Sequence, residues 1–165
     1  MIRYFRNLSV IAALVAAAIP VFAEEKPQEK PVVTAGDDGI IHLLPDDATL
    51  HGKSIRVEKN SDLSHIGHWR DPDDTAVWKI QVETAGRYLV RIETSAEADG
   101  AVLILKCSGK LALRVPNSGS LQTYKTSRVG ELTLAANNGI TLTLKPVVDG
   151  WQPVHVRKVE LIPLP

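Results

Sequence analysis

The sequence predicts an all-β domain built as an antiparallel jelly-roll β-sandwich. Apolar and polar residues alternate through most of the chain, and turn-forming clusters recur about every 10 residues. No segment after residue 23 keeps apolar residues at helical spacing over three turns, and Ala96-Glu-Ala98 is too short to count.

The strands follow in chain order. Ile40 to Leu44 is a short apolar run stopped by Pro45. Ser54 to Glu58 places Ile55 and Val57 between polar neighbours. From Thr75 to Glu83 one face carries Ala76, Trp78, Ile80 and Val82, and the other Lys79 and Gln81. Arg87 to Thr94 sets Tyr88, Val90 and Ile92 opposite Arg91 and Glu93. Ala101 to Cys107 reads as a buried strand. Leu132 and Leu134 oppose Glu131 and Thr133, and Gly139 to Lys145 opposes Ile140, Leu142 and Leu144 to Thr141, Thr143 and Lys145. His155 to Ile162 closes the set with Val156, Val159 and Leu161. Such alternation puts one face on a core and the other in water. Between these runs lie Asp71-Pro-Asp-Asp74, Thr84-Ala-Gly86, Asp99-Gly100, Ser108-Gly109, Pro116-Asn-Ser-Gly119, Asn137-Asn-Gly139 and Asp149-Gly150, all turn chemistry. The expectation is eight to ten strands in two sheets.

Three units divide the chain. Residues 1–23 read as a signal peptide: Arg3 and Arg6 lead an apolar run from Leu8 to Ile19, and Val21-Phe22-Ala23 follows Pro20. The run is 12 residues long, whereas a spanning helix needs about 20. Cleavage near Ala23 and a secreted or periplasmic location are expected. Residues 24–36, charged and proline-bearing, read as a flexible linker, and 37–165 as the β-sandwich domain. No later segment is apolar and long enough for a helical span, so a membrane-embedded protein is not expected. Removing Arg3 and Arg6 from the 19 basic residues leaves 17 against 19 acidic, a net charge of −2. That balance gives nucleic acid no electrostatic reason to bind.

Residues able to carry chemistry are few. Cys107 is the single cysteine, so no internal disulfide can form, and its apolar strand predicts an inert buried thiol. His65-Ile-Gly-His68, with Asp71, Asp73 and Asp74 behind it, has ligand types that zinc uses. Gly67 between the histidines suggests a turn, and the expectation is solvated loop histidines with no metal. An EF-hand loop starting at Asp71 would need Gly at 76 and Glu at 82, where Ala76 and Val82 stand. A structural calcium held by distant loops stays open, and no other cofactor is expected. There is no Gly-x-Ser-x-Gly elbow and no phosphate-binding glycine loop, so no catalytic residue is assigned and the chain is not expected to be an enzyme. Trp78 and Tyr88 fall on apolar strand faces and belong to the core. Trp151, in Val148-Asp-Gly-Trp-Gln-Pro153, and Tyr124, in Gln122-Thr-Tyr-Lys-Thr126, have polar surroundings. Trp69 can be either. Loop aromatics suit sugars, because a pyranose face stacks on a ring while polar groups bond its hydroxyls. For Trp151, a plug over the sandwich end is the other reading.

Several runs together resemble a known group. They are Ile40-Ile-His-Leu-Leu-Pro-Asp-Asp-Ala48, Leu50-His-Gly52, Ile55-Arg-Val-Glu58, Ile66-Gly-His-Trp69, Trp78-Lys-Ile-Gln-Val82, Ala85-Gly-Arg-Tyr88-Leu-Val90 and Val156-Arg-Lys-Val-Glu-Leu-Ile162. The chain from Ile40 to Ile162 resembles the β-sandwich accessory domain of secreted fucosidases and sulfatases. It is more broadly similar to family 6 and family 35 carbohydrate-binding modules, with their galactose-binding-like jelly roll. Gly86 permits the tight turn of a hairpin, and the resemblance implies a sugar platform near Val115 to Tyr124. Here that segment ends in Tyr124 and holds no Trp.

The function expected from sequence is a secreted, non-catalytic, carbohydrate-binding-like module. A glycan or glycoside-bearing polymer would be its partner, held by Trp151, Tyr124, Asn117, His68 and Trp69. A structural or protein-interaction domain of the cell envelope is the alternative, and a small hydrolase assembled from scattered loops is the third.

Overall fold

A computed structural model describes residues 30–60 and 63–165. The expected signal peptide and residues 24–29 of the expected linker lie outside the described residues. Twelve strands are seen: β1 (Val32–Val33), β2 (Ile41–Leu43), β3 (Thr49–His51), β4 (Arg56–Asn60), β5 (Leu63–Trp69), β6 (Thr75–Val82), β7 (Gly86–Ala96), β8 (Val102–Lys106), β9 (Lys110–Arg114), β10 (Lys125–Leu134), β11 (Asn137–Pro146) and β12 (Val154–Pro163). One 3-10 turn, Pro45–Asp47, follows β2. The all-β expectation holds, with more strands than the eight to ten foreseen. Short β1, β3 and β9 carry too few residues to show a period. In β5, a bulge breaks the alternation.

The strands form two six-stranded sheets packed as a sandwich. The first runs β1-β6-β11-β8-β9, with β3 also on β6. The second runs β10-β7-β12-β5-β4, with β2 also on β12. β1 lies in the stretch expected to be flexible, yet Val32 and Val33 pair in parallel with Lys79 and Ile80. The domain therefore starts before Asp37, because the edge of β6 offers unpaired backbone groups that an extended neighbour satisfies.

The core sits between the sheets. The alternating residues named above line it: Trp78, Ile80 and Val82 from β6, Val90 and Ile92 from β7, Leu142 and Leu144 from β11, Val156, Val159 and Leu161 from β12. Trp78 donates its indole N–H to the Leu44 carbonyl at 2.8 Å. The turn at Thr84-Ala-Gly86 is not a hairpin. β6 belongs to one sheet and β7 to the other, so the segment arches across the sandwich. That crossing is why Trp78 and Tyr88 meet in one core. Tyr88 ties the arch by donating its hydroxyl to the Thr84 carbonyl at 2.7 Å, in the manner of a tyrosine corner. Cys107, partly buried at the end of β8, has its thiol pushed up by desolvation, which keeps it protonated and unreactive.

One buried carboxylate organises the end of the sandwich. Asp74 is 2 % exposed and accepts hydrogen bonds from the backbone N–H groups of Lys53, Ser54 and Ile55 and from the Ser54 hydroxyl. Its own carbonyl accepts from the indole of Trp69 at 3.1 Å. Burial by itself would raise its pKa, but the backbone donors outweigh it and hold the carboxyl below 3.8. Gly52 makes room: a Cβ there would lie 2.0 Å from Asp74 Oδ1, and its φ is +150°.

Asp74→Ala should destabilise the protein by about 3 kcal/mol in urea unfolding, since it strands several donors. Glu160, 4 % exposed, behaves similarly. Burial opposes its charge, yet Lys158 and Arg91 hold its carboxyl below 4.5. For both groups the folded form binds a proton less readily than the unfolded form. Their stabilisation is complete above the ordinary carboxylate values and is lost as pH falls through the folded values. The urea midpoint should drop steadily from about pH 5 to about pH 3, and more shallowly in Asp74→Asn.

Candidate functional site

The outer face of the second sheet gathers a cluster of polar and charged side chains. Strand alternation sends Ile66, Trp69, Val154 and Val156 inward, and so Glu58, His65 and His155 outward. Two irregularities add more. In β5, Gly67 and His68 occupy the step that a single residue of β12 spans, between the pairs Trp69–Val154 and Ile66–Val156. His68 accordingly adopts a left-handed φ of 51°. In β12, Arg157 is the extra residue between Val156 and Lys158 where the strand pairs with β7. Bulges of this kind re-aim side chains, and they recur beside functional sites.

The loop from Val115 to Tyr124 folds over this face. Ser118 bonds the backbone of Ala96, and Ser95 donates its hydroxyl to the Leu121 carbonyl at 2.7 Å. The result is a groove with two hollows divided by Leu121 and His155. The larger, about 420 Å³, is lined by Glu58, His68, Arg70, Glu97 and Pro153 among others. The smaller, about 70 Å³, is lined by Asn60, His65, Tyr124 and Arg157 among others.

The groove is densely paired. The Arg157 guanidinium lies 3.5 Å over the Tyr124 ring and 3.2 Å from Glu93 Oε1. His65 and His155 stack with ring centroids 4.3 Å apart. Glu58 Oε1 is 3.2 Å from the Arg56 guanidinium and 2.9 Å from His68 Nε2. Its Oε2 is 3.5 Å from His65 Nε2. Desolvation lowers the pKa of both His65 and His155, which keeps the rings neutral at neutral pH. Desolvation also raises that of Tyr124, which stays a phenol. Glu58, His65 and His155 each bring one ligand-type atom within 4.8 Å of the other two.

The five residues expected at a ligand separate in space. Tyr124 and His68 border the groove, half-buried. Asn117 stands apart. Its Oδ1 accepts from the Gly119 N–H at 2.7 Å and shapes the loop from within. Trp69 lines the larger hollow but is fully buried, so its ring is core and offers no stacking face. Trp151 is half-buried, 6.1 Å from Trp69 ring to ring, and donates its indole N–H to the Trp69 carbonyl at 3.1 Å. It plugs the sandwich end and borders neither hollow.

The histidine pair is also corrected. His65 and His68 are in β5, not in a solvated loop, and His65 is 8 % exposed. Gly67 is not a turn residue. It is small because a Cβ there would lie 2.6 Å from Glu58 Oε2 and 3.2 Å from the His65 ring. Sequence reasoning missed Glu58, His155 and Arg157. Their outward register was visible, but which strands lie side by side was not.

No known protein family and no curated protein sequence matches the chain. Solved structures do match. The C-terminal family 6 carbohydrate-binding module of a laminarinase from Zobellia galactanivorans superposes with a TM-score of 0.63 at 15 % identity, covering 74 % of this chain and 98 % of that one. The fold is the two-sheet β-sandwich of that module. A family 6 module of lichenase 5A from Cellvibrio mixtus, solved with cellotriose, gives 0.61 at 15 % identity, over 75 % of this chain and 97 % of that one. The mosquito-larvicidal toxin Cry4Aa from Bacillus thuringiensis gives 0.64 at 16 % identity, over 82 % of this chain and a quarter of the toxin. Carbohydrate-binding modules and a toxin thus share this architecture, and the fold alone does not name the ligand.

Gly67→Ala should destabilise the protein by about 1–3 kcal/mol, because neighbouring charged and aromatic groups must shift. Gly86→Ala, where a Cβ would meet nothing within 4 Å, should be neutral or stabilising by up to about 1 kcal/mol. Paired urea denaturation curves check both.

Proposed function

We propose that the protein is a non-catalytic carbohydrate-binding module that holds a glycan in the groove on the outer face of the second sheet. The observation that carries this reading is the half-exposed Tyr124 ring, steadied by Arg157, at the edge of a groove rich in hydrogen-bonding groups. Such a ring can pack against the apolar face of a pyranose, while Arg157, His68 and Asn60 reach its hydroxyls. The shared fold supports the reading, since the lichenase module of the same architecture was solved with cellotriose. A shallow groove with one exposed ring implies weak affinity, because ordering costs consume most of the contact energy. We also infer export, from Arg3, Arg6, the Leu8–Ile19 apolar run and the small-residue end at Ala23.

This moves the sugar-facing role from Trp151 and Trp69 to Tyr124 and its neighbours. A glycan array and affinity electrophoresis with laminarin, cellohexaose and mannan test it. Tyr124→Ala should weaken binding about tenfold, the loss of one stacking contact. Asn138→Ala, on an exposed position outside the groove, should leave binding unchanged. A wild-type chain silent on every glycan would end the reading.

A further inference from the structure

The centre of the groove holds a feature that sugar binding does not require. His65 Nε2 and His155 Nδ1 are both buried, and neither has a hydrogen-bond partner. Two unpartnered imidazole nitrogens side by side are costly unless something accepts their lone pairs or donors. A carboxylate stands with them, as Glu58 Oε2 lies 3.5 Å from His65 Nε2.

We propose that Glu58, His65 and His155 form a binding site for a divalent transition-metal ion of the zinc class. The donor set is two imidazole nitrogens and one carboxylate oxygen, a combination that zinc accepts with a fourth position left open. Calcium prefers oxygen ligands alone, so this site is distinct from the calcium left open by the sequence.

The surroundings are arranged as supports. Leu121 borders both hollows beside His155 and covers its ring. Arg56 holds the other carboxylate oxygen, Oε1, at 3.2 Å and leaves Oε2 facing the imidazoles. Gly67 keeps the space between Oε2 and the His65 ring clear. A second cation facing the groove, Arg157, is paired with Glu93 and stacked on Tyr124. The donor atoms lie within 4.8 Å of one another, and tetrahedral zinc draws its ligands to about 3.4 Å apart. Binding an ion between them requires the two stacked rings, now 29° apart in plane, to splay until both lone pairs point at it.

The test is calorimetric titration of the untagged full chain with zinc chloride alone, in the absence of glycan. One zinc per chain should bind, and the thermal unfolding midpoint should rise with zinc concentration. His155→Gln and His65→Gln should each weaken binding by about 100-fold. His51→Gln, at an exposed position on β3, should not. Calcium chloride should give no comparable heat. The chain should also be titrated with cobalt chloride while the ring signals of wild-type His65 and His155 are followed by NMR. This removes dependence on the folding of the variants, and both rings should broaden first. Absence of zinc binding, zinc binding that survives His155→Gln, or broadening confined to His42 and His51 would overturn the proposal. A silent glycan array would leave it standing, because metal is the only probe.

Discussion

The Asp74 carboxylate is the constraint on which the end of this sandwich depends. It collects three backbone N–H groups from residues 53–55 and so fixes the chain just before β4. Its carbonyl holds the Trp69 indole, and the Trp69 carbonyl in turn holds the indole of Trp151. Two large aromatic side chains are thereby seated by backbone acceptors at one end of the core. A charged group this deep is stable only because every donor around it is used. Its effect reaches the groove, since the same strand that ends in Trp69 carries His65, Gly67 and His68 at the places they occupy.

The outer face of the second sheet differs from an ordinary solvated face. Lower on β12, Glu160 is almost covered and bonded to Arg91 and Lys158, a compact ionic layer. Higher up, the pairing runs out at His155 and at His65 beside it on β5, and the loop over Leu121 shelters them from solvent. Charge satisfaction lower on this face and buried, unbonded nitrogens higher up set its two ends apart. Two bulges supply the upper end with extra side chains without altering the core beneath, because the inward register resumes past each of them.

The architecture sets limits on what such a surface can do. On the second sheet, the groove takes its depth from a loop that overhangs it. The Val115–Tyr124 loop is the overhang here, anchored by Ser118 on the end of β7. A toxin and several carbohydrate-binding modules share the sandwich and differ in what lies on it. Under the proposed reading, function in this chain resides in Tyr124, Arg157, Glu58 and the histidines, not in the pairing of the sheets.

By itself, the sequence determined the all-β class, most long strands and the inward set, because period-two alternation is a local property that Trp78, Ile80, Val90 and Leu142 express directly. It also marked Tyr124 and His68 as residues of interest. Only the tertiary structure decided that the Gly86 turn crosses between sheets, that Trp69 is core and Trp151 a plug, and that His155 stacks on His65 some 90 positions away. Strand neighbours are chosen by the packing of the whole sandwich, and a bulge shifts register by one residue with no distinctive residue type to announce it. The groove is assembled from those non-local choices, which is why Tyr124 and His68 could be marked singly while Glu58, His155 and Arg157 could not.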